Sequence, residues 1–98
     1  MDSKYRHKLT QTAAKNFQQI YDYIAENLNN TEAAEKITQK FLSAIRNACL
    51  FPTMNPKYKN YRKIVVDNYL MFYKVDEKEK LLIIHCALYG AMDYEKLL

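Results

Sequence analysis

The spacing of apolar residues along this chain switches between steps of two and steps of three and four. That change constrains the fold more than any single residue does. Between residues 10 and 28, Phe17, Ile20, Tyr21, Ile24 and Leu28 recur at helical intervals and define one buried stripe. Thr10 or Thr12 supplies the side-chain oxygen that caps the start of this helix. Asn29, Asn30 and Thr31 interrupt the pattern and offer the next cap. A second stripe, Ile37, Phe41, Ile45 and Ala48, widened by Leu42 and Cys49, runs through residues 32–49. Two amphipathic helices separated by so short a break fold back as an antiparallel hairpin.

The remaining segments alternate. Residues 4–10 place Tyr5, His7 and Leu9 on one side and Arg6, Lys8 and Thr10 on the other, which predicts a short strand. Residues 50–60 hold both prolines, Pro52 and Pro56, and are expected to form the one substantial loop. Residues 62–66 end in β-branched side chains, Asp67-Asn68 suits a tight turn, and 69–75 resume as a strand. In that strand Tyr69, Met71, Tyr73 and Val75 face one way, and Leu70, Phe72 and Lys74 the other. Residues 76–80 form a charged turn. Residues 81–89 are apolar on both faces apart from His85, the mark of a central strand. Gly90 ends it, and residues 93–98 suit a short terminal helix. The expected fold is therefore α+β: a strand, a two-helix antiparallel hairpin, then a three-stranded antiparallel meander. The helices cover one face of a four-stranded sheet, because their stripes need a common core. The other face, or its rim, is left for a partner. Residues 1–98 make a single domain able to bury roughly 60–65% of its unfolded surface.

The formal net charge is +4, and residues 57–63 alone carry four cations and no acid. The excess is thus a patch, with the rest of the chain balanced. Tyr58 and Tyr61 alternate with Lys57, Lys59, Arg62 and Lys63, and the run leads into a strand. A sheet edge so equipped suits a polyanion or an acidic protein, the plain alternative being a solvated basic loop. Nine tyrosines add contact area with hydrogen-bonding tips, useful at interfaces as well as in small cores.

No apolar run approaches the roughly 18–20 residues of a membrane span, and residues 1–10 lack the apolar core of a signal peptide, so a cytoplasmic protein is expected. Cys49 and Cys86 are too few for a disulfide framework and, with His7 and His85, match no metal-ligand spacing. They read as buried thiols. Neither a metal nor a cofactor is expected.

This order of elements, with residues 61–76 (YRKIVVDNYLMFYKVD) and 88–98 (LYGAMDYEKLL), resembles the RelE/ParE superfamily of bacterial toxins over nearly the whole chain. The asparagine–tyrosine turn, the Phe72-Tyr73 pair and the late Tyr89-Gly90 followed by Asp93 carry the resemblance. It implies the toxin of a type II toxin–antitoxin pair, a class connected with plasmid stabilisation, held as a hetero-oligomer by a flexible acidic antitoxin.

Two activities are implied by different branches. RelE-like members cut messenger RNA in the ribosomal decoding site, and ParE-like members bind DNA gyrase. Cleavage by a ribose 2′-hydroxyl needs a base, stabilisation of the phosphorane charge and a proton for the leaving oxygen. Arg62 matches the first basic position of the nuclease branch, with Lys63 beside it. Leu70, Cys86, Ala91 and Met92 stand where further cations are common, and Tyr89 stands where a histidine often precedes the glycine. Each lost contact of that kind costs about 3–4 kcal/mol of barrier stabilisation. The catalytic candidates are then Arg62, Lys63, His85 and Tyr89, with Tyr94 a further proton donor. His85 reads first as a core histidine, however, and Tyr69 and Tyr73 as packing residues. The ParE-like reading suits these substitutions better. It assigns Lys57, Lys59, Tyr61, Arg62 and Lys63 to binding of the antitoxin or of a target such as gyrase. A RelE-like ribosome-dependent endoribonuclease acting on mRNA is the second reading, and a plain nucleic-acid-binding module the third.

Overall fold

The computed structural model describes residues 4–91, 94–96 and 98. Strand β1 (Arg6–Leu9) leads into helix α1 (Gln11–Asp22), which widens into a π-helical turn over Tyr23–Asn27. Helix α2 (Thr31–Leu50) follows. The chain then forms β2 (Lys57–Tyr58), β3 (Tyr61–Val66), β4 (Tyr69–Asp76) and β5 (Leu81–Tyr89), and closes with a 3-10 turn at Tyr94–Lys96. Of the terminal helix expected over 93–98, Asp93 and Leu97 lie outside the described residues, as does Met92.

Both helix starts are capped as their sequences require. The Ala13 N–H donates to Thr10 Oγ1 at 3.0 Å, and the Ala33 N–H to Asn30 Oδ1 at 3.0 Å. Thr10 Oγ1 also donates to the His85 carbonyl at 2.7 Å, so one hydroxyl starts α1 and fixes it to β5. Between the helices Asn29 adopts φ 49°, a left-handed conformation that asparagine tolerates well.

The sheet has five strands in the order β1-β5-β4-β3-β2, not the four expected. The added strand is β2, inside the proline-bearing segment read as loop. Its two residues pair with β3 (Lys57 with Arg62, Tyr58 with Tyr61) across a turn in which Lys59 has φ 54°. β1 runs parallel to β5 at the opposite edge, and β3, β4 and β5 form the expected antiparallel meander.

The helices cover one face of this sheet. Ile37, Phe41 and Ile45 of α2 meet Met71, Tyr73, Leu82 and Ile84 in the main core. Phe17 and Phe41 stack edge to face at 5.0 Å, joining the two helix stripes. The face expected to stay bare carries a second, smaller cluster. Leu70, Phe72 and Cys86 are buried there beneath Tyr58, Tyr61, Leu88, Tyr94 and Leu98. The two faces therefore exchange roles along β4 as its alternation requires, Tyr73 inward to the helices and Phe72 outward to the aromatic cluster. Among the described residues no helix is long and apolar enough to cross a membrane.

β5 is irregular at one point. Phe72 pairs with Cys86 but Tyr73 pairs with Ile84, which leaves His85 as the extra residue of a β-bulge. The bulge resets the alternation, so that Cys86 joins the open face while Leu82 and Ile84 before it face the helices. Gly90 ends the strand with its N–H donated to the Asn68 carbonyl at 2.7 Å. A Cβ there would stand 3.1 Å from that oxygen, a close approach that favours glycine.

Candidate functional site

The basic edge is built by β2 and β3, and pairing decides where each cation goes. Lys57 and Arg62 are cross-strand partners on the helix side of the sheet. Lys63, paired with Phe72, lies on the open side. Arg62 Nη1 donates to the Asn55 carbonyl at 2.7 Å, while Asn55 Nδ2 donates to Tyr73 Oη at 3.2 Å and Tyr73 Oη to the Pro52 carbonyl at 2.7 Å. Arg62 thus anchors the loop over residues 52–55 as well as contributing charge. Burial pushes the Tyr73 phenol above its ordinary range, offset in part by the Asn55 hydrogen bond and the Arg62 charge.

On the open side the cations sit over aromatic rings. Lys59 and Lys63 Nζ lie 5.7 and 5.9 Å from the Tyr58 centroid, and Lys74 Nζ lies 4.8 Å from that of Tyr61. Lys59 also donates to the carbonyls of Glu95 and Leu98 at 3.0 and 2.9 Å, holding the terminal turn against the sheet. Lys57, Lys59, Tyr61 and Arg62 come together around a recess of about 310 Å³ at the tip of the β2–β3 hairpin, with Lys74 on its wall. Lys63 stands apart from this recess, on the Tyr58 side. Lys74 is the cation that sequence reasoning left out: its face was legible, but its neighbour Tyr61 is set by register.

The four residues considered for catalysis do not converge. Arg62 is committed to the loop carbonyl on the helix side. Lys63 and His85 are on the open face with β4 between them, about 10 Å apart at two strand spacings. His85 is half-buried, its ring 5.0 Å from that of Tyr61, and so is a surface-layer residue and not the core histidine expected. Tyr89 lies on the helix side, 5.8 Å from Tyr69. Tyr94 is wedged between Tyr58 and Phe72, at 5.3 and 5.5 Å. Burial pushes the thiol of Cys86 up to about 11 and that of Cys49 upward, so both are held protonated. Among the described residues no group of His, Cys, Asp and Glu is placed to hold a metal.

A second feature lies at the opposite end of the sheet. Ile20, Tyr23 and Leu28 of the α1 region face Tyr69, Ala87 and Tyr89 across a groove of about 660 Å³. Tyr23, Leu28 and Tyr89 are each about half exposed there (52, 56 and 48%), an uncommon solvent load for three large apolar side chains. Beside it Asn16 Oδ1 accepts the Ala87 N–H at 3.1 Å, fastening α1 to β5 where β1 has ended. The helical period pointed Leu28 inward with the stripe. The π-turn and its exit at Leu28 leave that side chain on the rim instead.

Residues 8–94 match the family model described as ParE toxin of type II toxin-antitoxin system, parDE. No curated protein sequence matches the chain. Among solved structures, a chain of the chromosomal ParDE system from P. aeruginosa is similar at TM-score 0.73 and 17% identity, over 90% of this chain and 98% of that one. A chain of the RelBE2 toxin–antitoxin complex from Mycobacterium tuberculosis gives TM-score 0.57 and 12% identity, over 87% and 96%. The intact E. coli RelBE complex gives 0.56 and 11%, over 90% and 99%.

Proposed function

Because the chain belongs to the ParE toxin family of type II toxin–antitoxin systems, we propose that it acts as an inhibitory binding protein with DNA gyrase as its target. On this reading a cognate acidic antitoxin silences it in the cytoplasm. One observation carries the choice of binding over cleavage. The candidate base, acid and phosphate-binding groups Arg62, Lys63, His85 and Tyr89 are divided between two faces of the sheet. General acid–base chemistry needs its partners within hydrogen-bond reach of one reacting centre. Binding needs only a complementary surface.

The antitoxin has two features to engage. The groove at Tyr23, Leu28 and Tyr89 takes the apolar side of an amphipathic segment, and the β2–β3 edge takes its carboxylates. Lys57, Lys59, Tyr61, Arg62 and Lys63 are the residues assigned to that charged contact. Coupled folding of such a segment buries apolar area at an ordering cost, which electrostatic attraction offsets through a faster encounter.

Expression from a tightly repressed promoter in a bacterial host tests the reading. Filamentation and a DNA-damage response with intact transcripts are expected, together with inhibition of supercoiling by purified gyrase. An early halt in protein synthesis with transcripts cut at codon boundaries would instead establish the ribosome-dependent endoribonuclease and overturn the gyrase assignment.

A further inference from the structure

From Lys36 to Val66 the chain holds seven lysines and arginines and no acid, whereas the remaining residues carry eight cations against eleven acids. Lys36 pairs with Glu32 and Lys40 with Asp67. The other five, Arg46, Lys57, Lys59, Arg62 and Lys63, form no ion pair among the described residues. The same stretch exposes an unusual apolar load at the end of α2 and in the loop that follows. Leu50, Phe51 and Met54 are 44, 52 and 73% exposed.

This loop is held tightly. The Phe51 N–H donates to the Asn47 carbonyl at 3.0 Å and the Met54 N–H to the Phe51 carbonyl at 3.1 Å. The Lys63 N–H donates to the Pro56 carbonyl at 2.9 Å. Tyr73 and Arg62 take the carbonyls of Pro52 and Asn55 from beneath. With its inward carbonyls fastened to a buried tyrosine and a strand arginine, the loop presents Phe51 and Met54 outward on a fixed backbone. An apolar projection fixed in advance loses little entropy on binding. Of the cations outside ion pairs, Arg46 shares a recess with Leu50 and Lys57 one with Thr53, and positive charge beside the loop favours a partner rimmed with carboxylates.

Shape separates this surface from the groove near Tyr89. The groove is concave, has no lysine or arginine on its walls and suits a peptide. Met54, mostly in solvent, belongs to a projection, and a projection needs a recess that only a folded partner supplies. We propose that the Leu50–Phe51–Met54 knuckle, with Arg46 preceding it on α2 and Lys57 following it in the chain, enters an acid-rimmed apolar recess on a folded protein, and that this contact is how the toxin engages its target. The inference rests on the toxin reading above and adds the surface and the partner's chemistry.

The test is induced expression of the full chain, scored by surviving colony counts, with each variant's melting temperature measured on purified protein. Phe51→Ser/Met54→Ser is expected to weaken growth arrest by roughly tenfold or more, as loss of an interface anchor does. Lys57→Glu should weaken it too. Val65→Ser, which removes an equally exposed apolar side chain elsewhere, should arrest growth as wild type does. Should the double variant fold poorly, Met54→Ser alone replaces it. Undiminished arrest by a folded knuckle variant overturns this inference and leaves the toxin reading standing, as does equal loss in Val65→Ser. No arrest by the wild-type chain overturns the toxin reading and this inference with it.

Discussion

Thr10 shows how few atoms decide the geometry of this chain. Its hydroxyl accepts from Ala13 and donates to His85, so a cap and an interlayer tie share one oxygen. Thr10→Ala should cost about 1–2 kcal/mol, lowering the melting temperature by roughly 5–10 °C, and Thr10→Ser should recover most of it. Arg62 has a double role of the same kind. Arg62→Ala removes a charge and also frees the 52–55 loop, whereas Lys63→Ala removes a charge and its exposed contact with the Tyr58 ring. A comparison of the two by thermal melting and binding separates anchorage from attraction: both should weaken binding, and Arg62→Ala should lower stability by clearly more than Lys63→Ala. The thiols give a pH dependence with a definite sign. Cys86 is pushed from 9.0 to about 11 in the folded chain, with Cys49 and Tyr73 also raised. Between those values the folded state holds more protons than the unfolded one, so stability is full below about pH 9 and falls as pH rises toward 11. Denaturant titrations at pH 7.5 and 10.5 should show a lower midpoint at the higher pH, and a Cys86→Ala variant a shallower fall. Sequence gave the identity of each of these residues but not its direction. Arg62 and Lys63 are neighbours in the basic run, yet strand alternation sends them to opposite faces.

The helices were legible because their signal is local. Phe17, Ile20 and Ile24, then Ile37, Phe41 and Ile45, repeat at intervals that only a helix gathers to one side. The meander was legible for the same reason, down to the facing of Tyr73 and Phe72 on β4. Two elements escaped. β2 is only two residues long, lies between a proline and a left-handed Lys59, and exists by virtue of its pairing with β3. The β5 bulge at His85 is invisible to a period-two reading, which would keep Cys86 in line with Leu82 and Ile84. The bulge adds Cys86 to the open-face cluster that Leu70 and Phe72 of β4 begin and against which Tyr94 packs. Tyr94→Ala should uncover this cluster while leaving the helix-side core intact. The expected result is faster alkylation of Cys86 by iodoacetamide, with unchanged helical circular dichroism. An unchanged rate would mean that strands and not the terminal turn shield the thiol.

The molecule measures 42 × 35 × 21 Å, a flat body with the apolar groove at one end of the sheet and the β2–β3 hairpin recess at the other. An extended peptide covers at most about 3.3–3.6 Å per residue, so about a dozen residues reach from one to the other. One antitoxin segment is therefore long enough to anchor its apolar side chains beside Tyr89 and lay its carboxylates along Lys57 and Lys59. The two contacts respond differently to salt. Apolar burial in the groove is barely affected, whereas attraction to an exposed edge is screened over a Debye length of about 10 Å at 0.1 M salt. Charge at such an edge governs association more than dissociation. Lys57→Glu/Lys63→Glu should thus slow antitoxin association by roughly an order of magnitude at low salt, with a much smaller change in the dissociation rate. The difference from wild type should shrink as salt approaches 1 M. Stopped-flow mixing with the cognate antitoxin measures both rates. If the loss fell on dissociation and persisted in high salt, the lysines would be buried contacts of the complex and not a steering field. The charged hairpin would then belong to the anchor itself.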